Sequence, residues 1–354
     1  MKKIRVLVVD DSALMRQLIT EILQLDRSIE VVGAAKDPFD AREKILALSP
    51  DVLTLDVEMP RMDGLSFLEK LMAGRPMPVV MLSSLTEKGC QTTMRALELG
   101  AVDFITKPKL DVSAGMDLLV DEIIEKVKLA AAAKIQKRKV TTERPVFSGA
   151  KPVVSNSLIN STHKVIAIGG STGGTEALLE LLSGFPPDAP GTVCVIHMPE
   201  GFTNTYAQRL DRHCQVRVKE AQDGDRIIPG HVLLAAGNYH MEVCRSGATY
   251  AVRVFSAPPV SRHRPSVDVL FSSCARYVGS NAVGGILTGM GNDGAAGMLE
   301  MKQAGATTFA QDEATCVVFG MPKEAIAKGG VDEVLPLHKM APNILKAARC
   351  EILV

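Results

Sequence analysis

"VIAIGGSTGGTEALLELL", residues 165–182, joins an apolar run, a knot of glycines around one serine, and a helical pattern. A strand that turns sharply into a helix is the building unit of a parallel sheet with helices on its faces. The turn admits two chemistries. Glycines at a helix N-terminus can cradle a phosphate, or they can hold Ser171 up as a nucleophile at the sheet edge. A phosphate loop of the Walker type needs a lysine after its last glycine, but Thr175 and Glu176 stand here. The G-x-G-x-x-G fingerprint also fails, because reading from Gly170 gives G-S-T-G. Anion binding at the helix N-terminus stays open on these residues alone.

A nucleophilic serine needs a base and an orienting acid. His197 ends the next apolar run, "VCVIHMP", at the position equivalent to Ser171. Histidines 163, 213, 231, 240, 263 and 338 have weaker placements. "VGGILTGMGNDGAAG" (283–297) repeats the design of apolar strand, glycine loop and helix, with Asp293 in the loop. By itself Asn292-Asp293-Gly294 is an ordinary turn sequence. Together, Ser171, His197 and Asp293 stand at three strand ends and make a nucleophile, general base and imidazole-orienting acid. Their chain order differs from the Ser, Asp, His of α/β-hydrolases, which points to convergent chemistry on another fold. The competing class is a binding module whose glycine loops hold an anion. It would need no base. Residues 164–354 thus read as a doubly wound, mainly parallel α/β domain. Strands are expected at Val165–Ile168, Val193–Ile196, Val216–Val218 and Val283–Leu287, helices after Gly174, Gly201 and Gly294 and over Ser266–Val278, and an antiparallel hairpin in "MEVCRSGATYAVRV". Arg262, His263 and Arg264 in "SRHRPS" either line the approach for acidic segments or form a solvated loop.

Residues 1–128 alternate short β-branched runs with helical periodicity, for example Leu14, Leu18, Ile22 and Leu25 on one face. Strands are expected at Ile4–Val9, Val31–Ala34, Val52–Leu55, Val79–Leu82 and Asp103–Thr106. Ligands gather beyond the carboxyl ends of such strands. There stand Asp10 and Asp11, Asp56, Ser83, and Lys107 before Pro108. "VVDDS" alone could be a strand end with Ser12 as helix cap. Three carboxylates at one edge repel unless a hard cation bridges them, and Mg2+ suits an all-oxygen site. A carboxylate beside Mg2+ can accept a phosphoryl group, with a lysine and a hydroxyl on its oxygens.

The chain has 354 residues, of which 46% are hydrophobic and 23% charged, so two packed domains are expected. Lys plus Arg and Asp plus Glu number 40 each, which gives no general electrostatic reason to bind nucleic acid or an acidic membrane. No apolar run approaches a membrane span, and "MKKIRVLVVDDS" reads as a first strand rather than a signal peptide. The seven cysteines are scattered without a C-x-x-C, which fits a reducing cytoplasm better than a disulfide or zinc framework. Residues 129–163 are rich in Pro, Ser, Thr and Asn; from Lys134 to Lys164 they carry seven basic residues and one acid. That is a linker.

The first domain resembles the receiver domain of two-component response regulators, with "VVDDS" (8–12), "LDVEMPRMDG" (55–64), "MLSS" (81–84) and "ITKP" (105–108) standing where that family's motifs stand. The resemblance implies a flavodoxin-like (βα)5 fold, Asp56 as phosphoacceptor, Asp10, Asp11 and Asp56 around Mg2+, Ser83 as switch hydroxyl and Lys107 as phosphate-sensing lysine. The linker, "IGGSTGGTEAL", "HMPEGFT", "RPSVDVLF" and "LTGMGNDGAAGM" extend the likeness to nearly the whole chain, which resembles the CheB-type chemotaxis methylesterases. One departure is Gly170, where that family commonly carries alanine. The resemblance implies that Ser171, His197 and Asp293 are catalytic and that backbone N–H groups near Thr172 and Met290 form the oxyanion hole. It implies demethylation of glutamate methyl esters and deamidation of glutamines on methyl-accepting chemotaxis receptors, a CheA-type histidine kinase as phosphodonor, receptor tethering through the linker, and no cofactor in the second domain. It further implies that the unphosphorylated receiver covers the active site, so that removing residues 1 to about 140 raises basal hydrolysis.

Overall fold

The computed structural model describes residues 2–84, 86–107, 116–133 and 164–348. The expected linker lies outside the described residues from position 134 on, with His163; Cys350 lies outside them too.

The first unit is built from β1 (Ile4–Val9), α1 (Ala13–Gln24), β2 (Ile29–Ala35), α2 (Pro38–Leu48), β3 (Val52–Asp56), α3 (Gly64–Gly74), β4 (Val79–Ser83), α4 (Glu87–Glu98), β5 (Asp103–Thr106) and α5 (Met116–Ala132). Its sheet runs β2-β1-β3-β4-β5, all parallel. Because helices cover both faces, β3 and β4 are buried at every residue. Helix α5 runs to Ala132, so its last four residues lie within the expected linker. Ser12 does cap α1, accepting from the Met15 amide at 3.4 Å. The apolar face expected on α1 is rotated, however. Ile19, Ile22 and Leu23 are buried, whereas Leu14 and Leu25 are 55% and 68% exposed. At about 100° per residue, Leu14 and Leu25 fall roughly 140° and 120° from Ile19, outside the arc of the buried residues.

The second unit comprises β6 (Val165–Gly170), α6 (Gly174–Ser183), β7 (Thr192–Ile196), α7 (Phe202–His213), β8 (Arg217–Glu220), β9 (His231–Leu234), β10 (His240–Ser246), β11 (Thr249–Phe255), α8 (Val267–Tyr277), β12 (Ala282–Ile286), α9 (Ala295–Gln303), β13 (Thr307–Gln311), α10 (Met321–Ala327), β14 (Glu333–Leu335) and α11 (Leu337–Ala348). Seven parallel strands run β14-β13-β12-β6-β7-β9-β8, and β10 and β11 form the expected antiparallel hairpin. Strands β9, β13 and β14 are additional to those read from the sequence. They are three to five residues long, and "HVLL", "TTFAQ" and "EVL" are too short or too polar to announce themselves. Along β6, Ile166 and Ile168 join the core beneath α6 and α11, while Val165 and Ala167 join the core beneath α8 and α9. The chain leaves β6 for β7 on one side and later returns to place β12 on the other. The ends of β6, β7 and β12 therefore meet at the point where the strand order reverses, the usual ligand crevice of an open sheet.

The receiver-like unit docks on that crevice. Phe104 of β5 stacks on Phe202 of α7 with centroids 4.5 Å apart. Arg209, 3% exposed, reaches Glu98 of α4 at 2.9 Å and Glu176 of α6 at 2.8 Å.

The close approach of β6 to α8 sets a packing test. A Cβ added at Gly169 would lie 2.3 Å from Val267 Cγ1, whereas one at Gly170 meets only the movable tip of Ile196 at 3.2 Å and Leu287 Cβ at 3.3 Å. Gly169→Ala is expected to destabilise by about 1–3 kcal/mol and Gly170→Ala by less than about 1, read as thermal midpoints.

Candidate active site

Ser171 follows β6 directly. Its amide donates to the Thr288 carbonyl beyond β12 at 3.0 Å, and the Thr288 hydroxyl donates to the Thr172 carbonyl at 3.0 Å. The turn is thus pinned to the neighbouring strand end. Gly173 caps α6 at φ +76°, where an added Cβ would also strike Val317 at 2.7 Å. No side chain caps α6; its first amide, that of Gly174, donates instead to the Ser171 carbonyl at 2.6 Å and tightens the turn. Gly289, in the loop after β12, comes so near that a Cβ there would lie 2.9 Å from the Ser171 amide nitrogen and 2.3 Å from Met321 Sδ.

His197 follows β7, and its amide donates to the Gly170 carbonyl at 3.2 Å. Its Nε2 lies 2.7 Å from Asp293 Oδ2. Its Nδ1 is buried and has no hydrogen-bond partner among the described residues, Ser171 included. Asp293 is 1% exposed and fully engaged. Oδ1 accepts from the Ser266 hydroxyl at 2.7 Å and the Asp268 amide at 3.0 Å, while Oδ2 accepts from the Val267 amide at 2.7 Å. These donors are the cap and first turn of α8. Burial works against the Asp293 charge, but the hydrogen bond and charge of His197 and the α8 donors hold its carboxyl below the ordinary value.

Ser171, His197, Thr172, Met290 and Asn292 line one cavity of about 780 Å³, whose other wall is Val102, Asp103, Phe104, Glu122 and Lys126 of the first unit. Neither the Thr172 nor the Met290 amide has an acceptor among the described residues. Two free amides beside a serine on a sharp turn can hold a developing oxyanion. So the sequence-read set converges: Ser171, His197, Thr172 and Met290 share the cavity and Asp293 backs the imidazole.

The sequence reading missed the groups that close the cavity. The Thr172 hydroxyl donates to Asp103 Oδ2 at 2.5 Å, and Lys126 of α5 reaches Asp103 Oδ1 at 3.4 Å, Glu122 at 3.0 Å and the Phe104 carbonyl at 2.6 Å. An arginine on the apolar stripe of α7, Arg209, was the available cue; Asp103 gave none beyond a charge at the start of a buried strand. Of Arg262, His263 and Arg264, only Arg262 points at the first unit, 3.6 Å from Glu125. Arg264 turns away to the Asn238 side chain at 3.1 Å and the Ala257 carbonyl at 2.7 Å. His263 stacks on His197.

The second cluster lies at the ends of β1, β3, β4 and β5. Carboxylate oxygens of Asp10, Asp11 and Asp56 lie within 4.8 Å of one another. Lys107 Nζ bridges Asp10 Oδ2 at 2.9 Å and Asp56 Oδ1 at 2.8 Å. Asp56 Oδ2 is buried with no hydrogen-bond partner among the described residues. An orphaned carboxylate oxygen among three acids fits a hard divalent cation. The Ser83 hydroxyl is buried and accepts from Thr93 at 2.6 Å, so it is brought to the strand edge but engaged with α4. Burial lifts the Asp56 carboxyl to about 6, with Lys107 opposing and the Asp10 charge adding. Desolvation disfavours the Lys107 charge, yet its bonds to Asp56 and Asp10 outweigh this and hold it above the ordinary value.

Two family models match the chain, a response regulator receiver domain over residues 6–114 and CheB methylesterase over residues 166–344. A protein-glutamate methylesterase/protein-glutamine glutaminase 1 of Geobacter metallireducens is 60% identical over 340 residues, 95% of this chain and 94% of that protein. The protein of the same description, without the number, in Pectobacterium atrosepticum is 58% identical over 345 residues, 98% of this chain and 97% of that one. Among solved structures, the catalytic domain of Thermotoga maritima CheB methylesterase matches with TM-score 0.51 and 38% identity, covering 52% of this chain and 97% of that one.

The raised Asp56 carboxyl carries a stability signature. Its folded value, about 6, lies above the ordinary 3.8, so the native state holds an extra proton between those values and loses stability as pH rises through that window. In metal-free protein, Asp56→Asn is expected to raise the thermal midpoint near pH 7.5, by up to about 3 kcal/mol in stability, and to lose that advantage near pH 4. Thermal melts across pH check it; an advantage independent of pH goes against the raised value.

Proposed function

The chain belongs to the CheB methylesterase family, and from that premise we propose that it is a phosphorylation-controlled serine hydrolase acting on glutamate and glutamine side chains of chemotaxis receptors. The observation that carries this reading is the His197 ring. One nitrogen is fixed on a buried, fully hydrogen-bonded aspartate, and the other is buried without a partner among the described residues, on a side chain that lines the cavity of Ser171.

The reaction is acyl transfer to water. Ser171 Oγ attacks the side-chain carbonyl carbon of a glutamate methyl ester while His197 Nδ1 takes the hydroxyl proton. The nitrogen that faces the aspartate keeps its hydrogen, and Asp293 stabilises the imidazolium without taking that proton. The carbonyl oxygen becomes an oxyanion and is received by the Thr172 and Met290 amides. As the tetrahedral centre collapses, His197 gives the proton to the departing methoxide, which leaves as methanol. Water then repeats the sequence on the acyl-enzyme, His197 taking its proton and returning it to Ser171 Oγ, and a glutamate carboxylate is released. With glutamine the leaving group is ammonia. No step calls for a metal in this unit.

Control resides in the docked receiver. Asp56 is the phosphoacceptor, and a chemotaxis histidine kinase of the CheA type is the donor. Asp10, Asp11 and Asp56 would hold Mg2+, which neutralises charge on the phosphoryl oxygens. Lys107 and Ser83 would meet those oxygens. Phosphorylation adds roughly 1.5 to 2 negative charges where Lys107 now bridges two acids. In the docked state Asp103 occupies the Thr172 hydroxyl beside Ser171, and α5 lines the far wall of the cavity, so a receptor helix has no room to enter. The expected site in the cytoplasm is consistent with there being no helix among the described residues long and apolar enough to cross a membrane.

Methanol release from methylated receptor membranes tests both parts. Ser171→Ala is expected to lose turnover on the order of a million-fold. A small phosphodonor with Mg2+ should accelerate the wild type only. If Ser171→Ala keeps wild-type turnover, the serine mechanism fails and the glycine turn is a binding loop. Without phosphodonor, Asp103→Ala should raise basal methanol release about 5-fold, because one charge-assisted contact of the closed state is lost. Unchanged basal release in that variant, with Asp56 still phosphorylated normally, would count against Asp103 as part of the closure.

A further inference from the structure

His263 plays no part in the mechanism above, yet its ring lies flat on that of His197, with centroids 3.6 Å apart and planes 14° from parallel. We propose that His263 is a positioning residue for the proton transfer. Its ring fixes the plane of the His197 imidazole so that Nδ1 faces Ser171 while Nε2 stays on Asp293, and it offers a neutral aromatic face to the imidazolium formed in each half-reaction. The inference rests on the esterase reading.

The reasoning starts from what one hydrogen bond can do. Asp293 holds His197 at a single ring atom, Nε2. With Cγ tied to the backbone through Cβ and Nε2 held by Asp293, the ring can still rotate about the line joining those two atoms, and that rotation carries Nδ1 out of the plane in which it meets the serine. Nδ1, the atom that must meet the serine, has no hydrogen bond of its own to hold it. A second constraint therefore has to act on the ring face. His263 is the group stacked there.

The segment that presents His263 is built for rigidity. Ser261 and Arg262 both have left-handed backbone, φ +50° and +67°, a conformation that side-chain-bearing residues adopt rarely. They form the tip of a tight turn closed by reciprocal hydrogen bonds, Val260 amide to His263 carbonyl at 3.0 Å and His263 amide to Val260 carbonyl at 2.9 Å. On one side the Ser261 hydroxyl donates to Asp268 Oδ2 at 3.2 Å; Asp268 Oδ1 accepts from the Gly297 amide at 2.8 Å. On the other side Arg264 is fastened to Asn238 and to the Ala257 carbonyl. Asp268 also donates its amide to Asp293. Both imidazoles thus hang from one framework, the first turn of α8, and keep their relation when that framework moves.

The stack needs one neutral partner, since two imidazolium rings at this separation would repel. Burial, then the neighbouring His197, Lys126 and Arg262, depress His263 to about 3, against a smaller opposing pull from Asp293. His263 is not a rival base, because no carboxylate is hydrogen-bonded to it among the described residues to stabilise its protonated form.

Full-length protein, activated by phosphodonor and Mg2+, would be compared as wild type, Ser171→Ala, His263→Ala, His263→Leu and His263→Phe in methanol release, with thermal midpoints measured alongside. His263→Ala is expected to lower kcat about 10- to 100-fold with KM within about 3-fold, the scale of a misplaced catalytic group. His263→Phe keeps a flat neutral ring and should recover most of that loss, which a lost proton donor would not allow, whereas His263→Leu fills the gap without a flat face and should stay as slow as the alanine variant. Wild-type kcat in His263→Ala overturns the proposal. So does a His263→Phe protein that melts like the wild type but turns over as slowly as the alanine variant. If the wild type itself releases no more methanol than Ser171→Ala, the esterase reading fails and the positioning role goes with it.

Discussion

The second unit is organised around a buried charge. Removing a carboxylate from water is costly unless every oxygen finds donors, and Asp293 finds four: the imidazole of His197, the Ser266 hydroxyl and two amides of α8. The same arrangement solves a second problem, because the first amides of a helix also need acceptors. Asp293 satisfies α8, and the positive end of α8 in turn favours the carboxylate. A catalytic orientation is therefore a by-product of two electrostatic debts cancelling. This explains why the imidazole, a side chain at the end of β7, is held by a residue nearly a hundred positions away. It also ties α8, the turn bearing His263 and the serine turn into one assembly, since Asp268 and Thr288 extend the network to both sides.

The receiver enters the chemistry through one four-residue strand. Asp103 opens β5 and touches the serine turn; Lys107 follows its last residue and bridges Asp10 and Asp56. At about 3.3 Å per residue, these contacts are separated by roughly 13 Å of extended backbone. A strand transmits displacement along its length better than a loop because ladder hydrogen bonds hold it in register. Here β4 supplies that ladder on one side, and no strand pairs with the other edge among the described residues. Around it, Phe104 on Phe202 and Arg209 between Glu98 and Glu176 make the docked face a mixture of one aromatic anchor and desolvated ion pairs. Ion pairs of this kind contribute specificity of docking more readily than net stability, because each charge must be dehydrated before it is paired. A closure that must be released by a signal is well served by such an interface.

What the sequence made legible was the local pattern, and what it hid was contact across distance. Strand-to-glycine-to-helix units announce themselves within about fifteen residues, so Ser171, His197 and Asp293 could be placed at strand ends before any strand order was known. The phosphoacceptor cluster was legible for the same reason. Helices begin right after Gly201 and Gly294 as expected, α6 begins at Gly174 itself, and α8 lies within the expected span with Ser266 as its cap. By contrast, Leu14 and Leu25 keep the helical period yet lie outside the buried arc, because periodicity fixes a face but not its centre. Strand β14 is the sheet edge and stays largely exposed, while β13 looks polar in the sequence although its last four residues are buried between β12 and β14. Asp103 was legible only as the start of a strand and His263 only as part of an approach loop, for a deeper reason. What brings each to the active site is a partner 60 or more positions away, Thr172 for one and His197 for the other.

The arrangement also separates chemical role from atom name. In the serine-protease template, Nε2 faces the serine and Nδ1 donates to the aspartate. Here Nε2 is the nitrogen on Asp293, which leaves Nδ1 for the serine. The reversal follows from topology. Asp293 approaches from the far side of β6, in the loop after β12, and grips the outer end of the ring, while Ser171 lies next to the backbone of His197, whose amide is bonded to Gly170. A base whose inner nitrogen does the work swings on a shorter lever, so a given rotation displaces it less. It also has less room to approach the serine, because Nδ1 is nearer the fixed main chain. Such a site gains precision and loses reach, and it therefore depends on the serine turn being brought to the imidazole. The two contacts that set that turn, Thr288 from within the unit and Asp103 from the receiver, are where a small movement has the greatest effect on proton transfer.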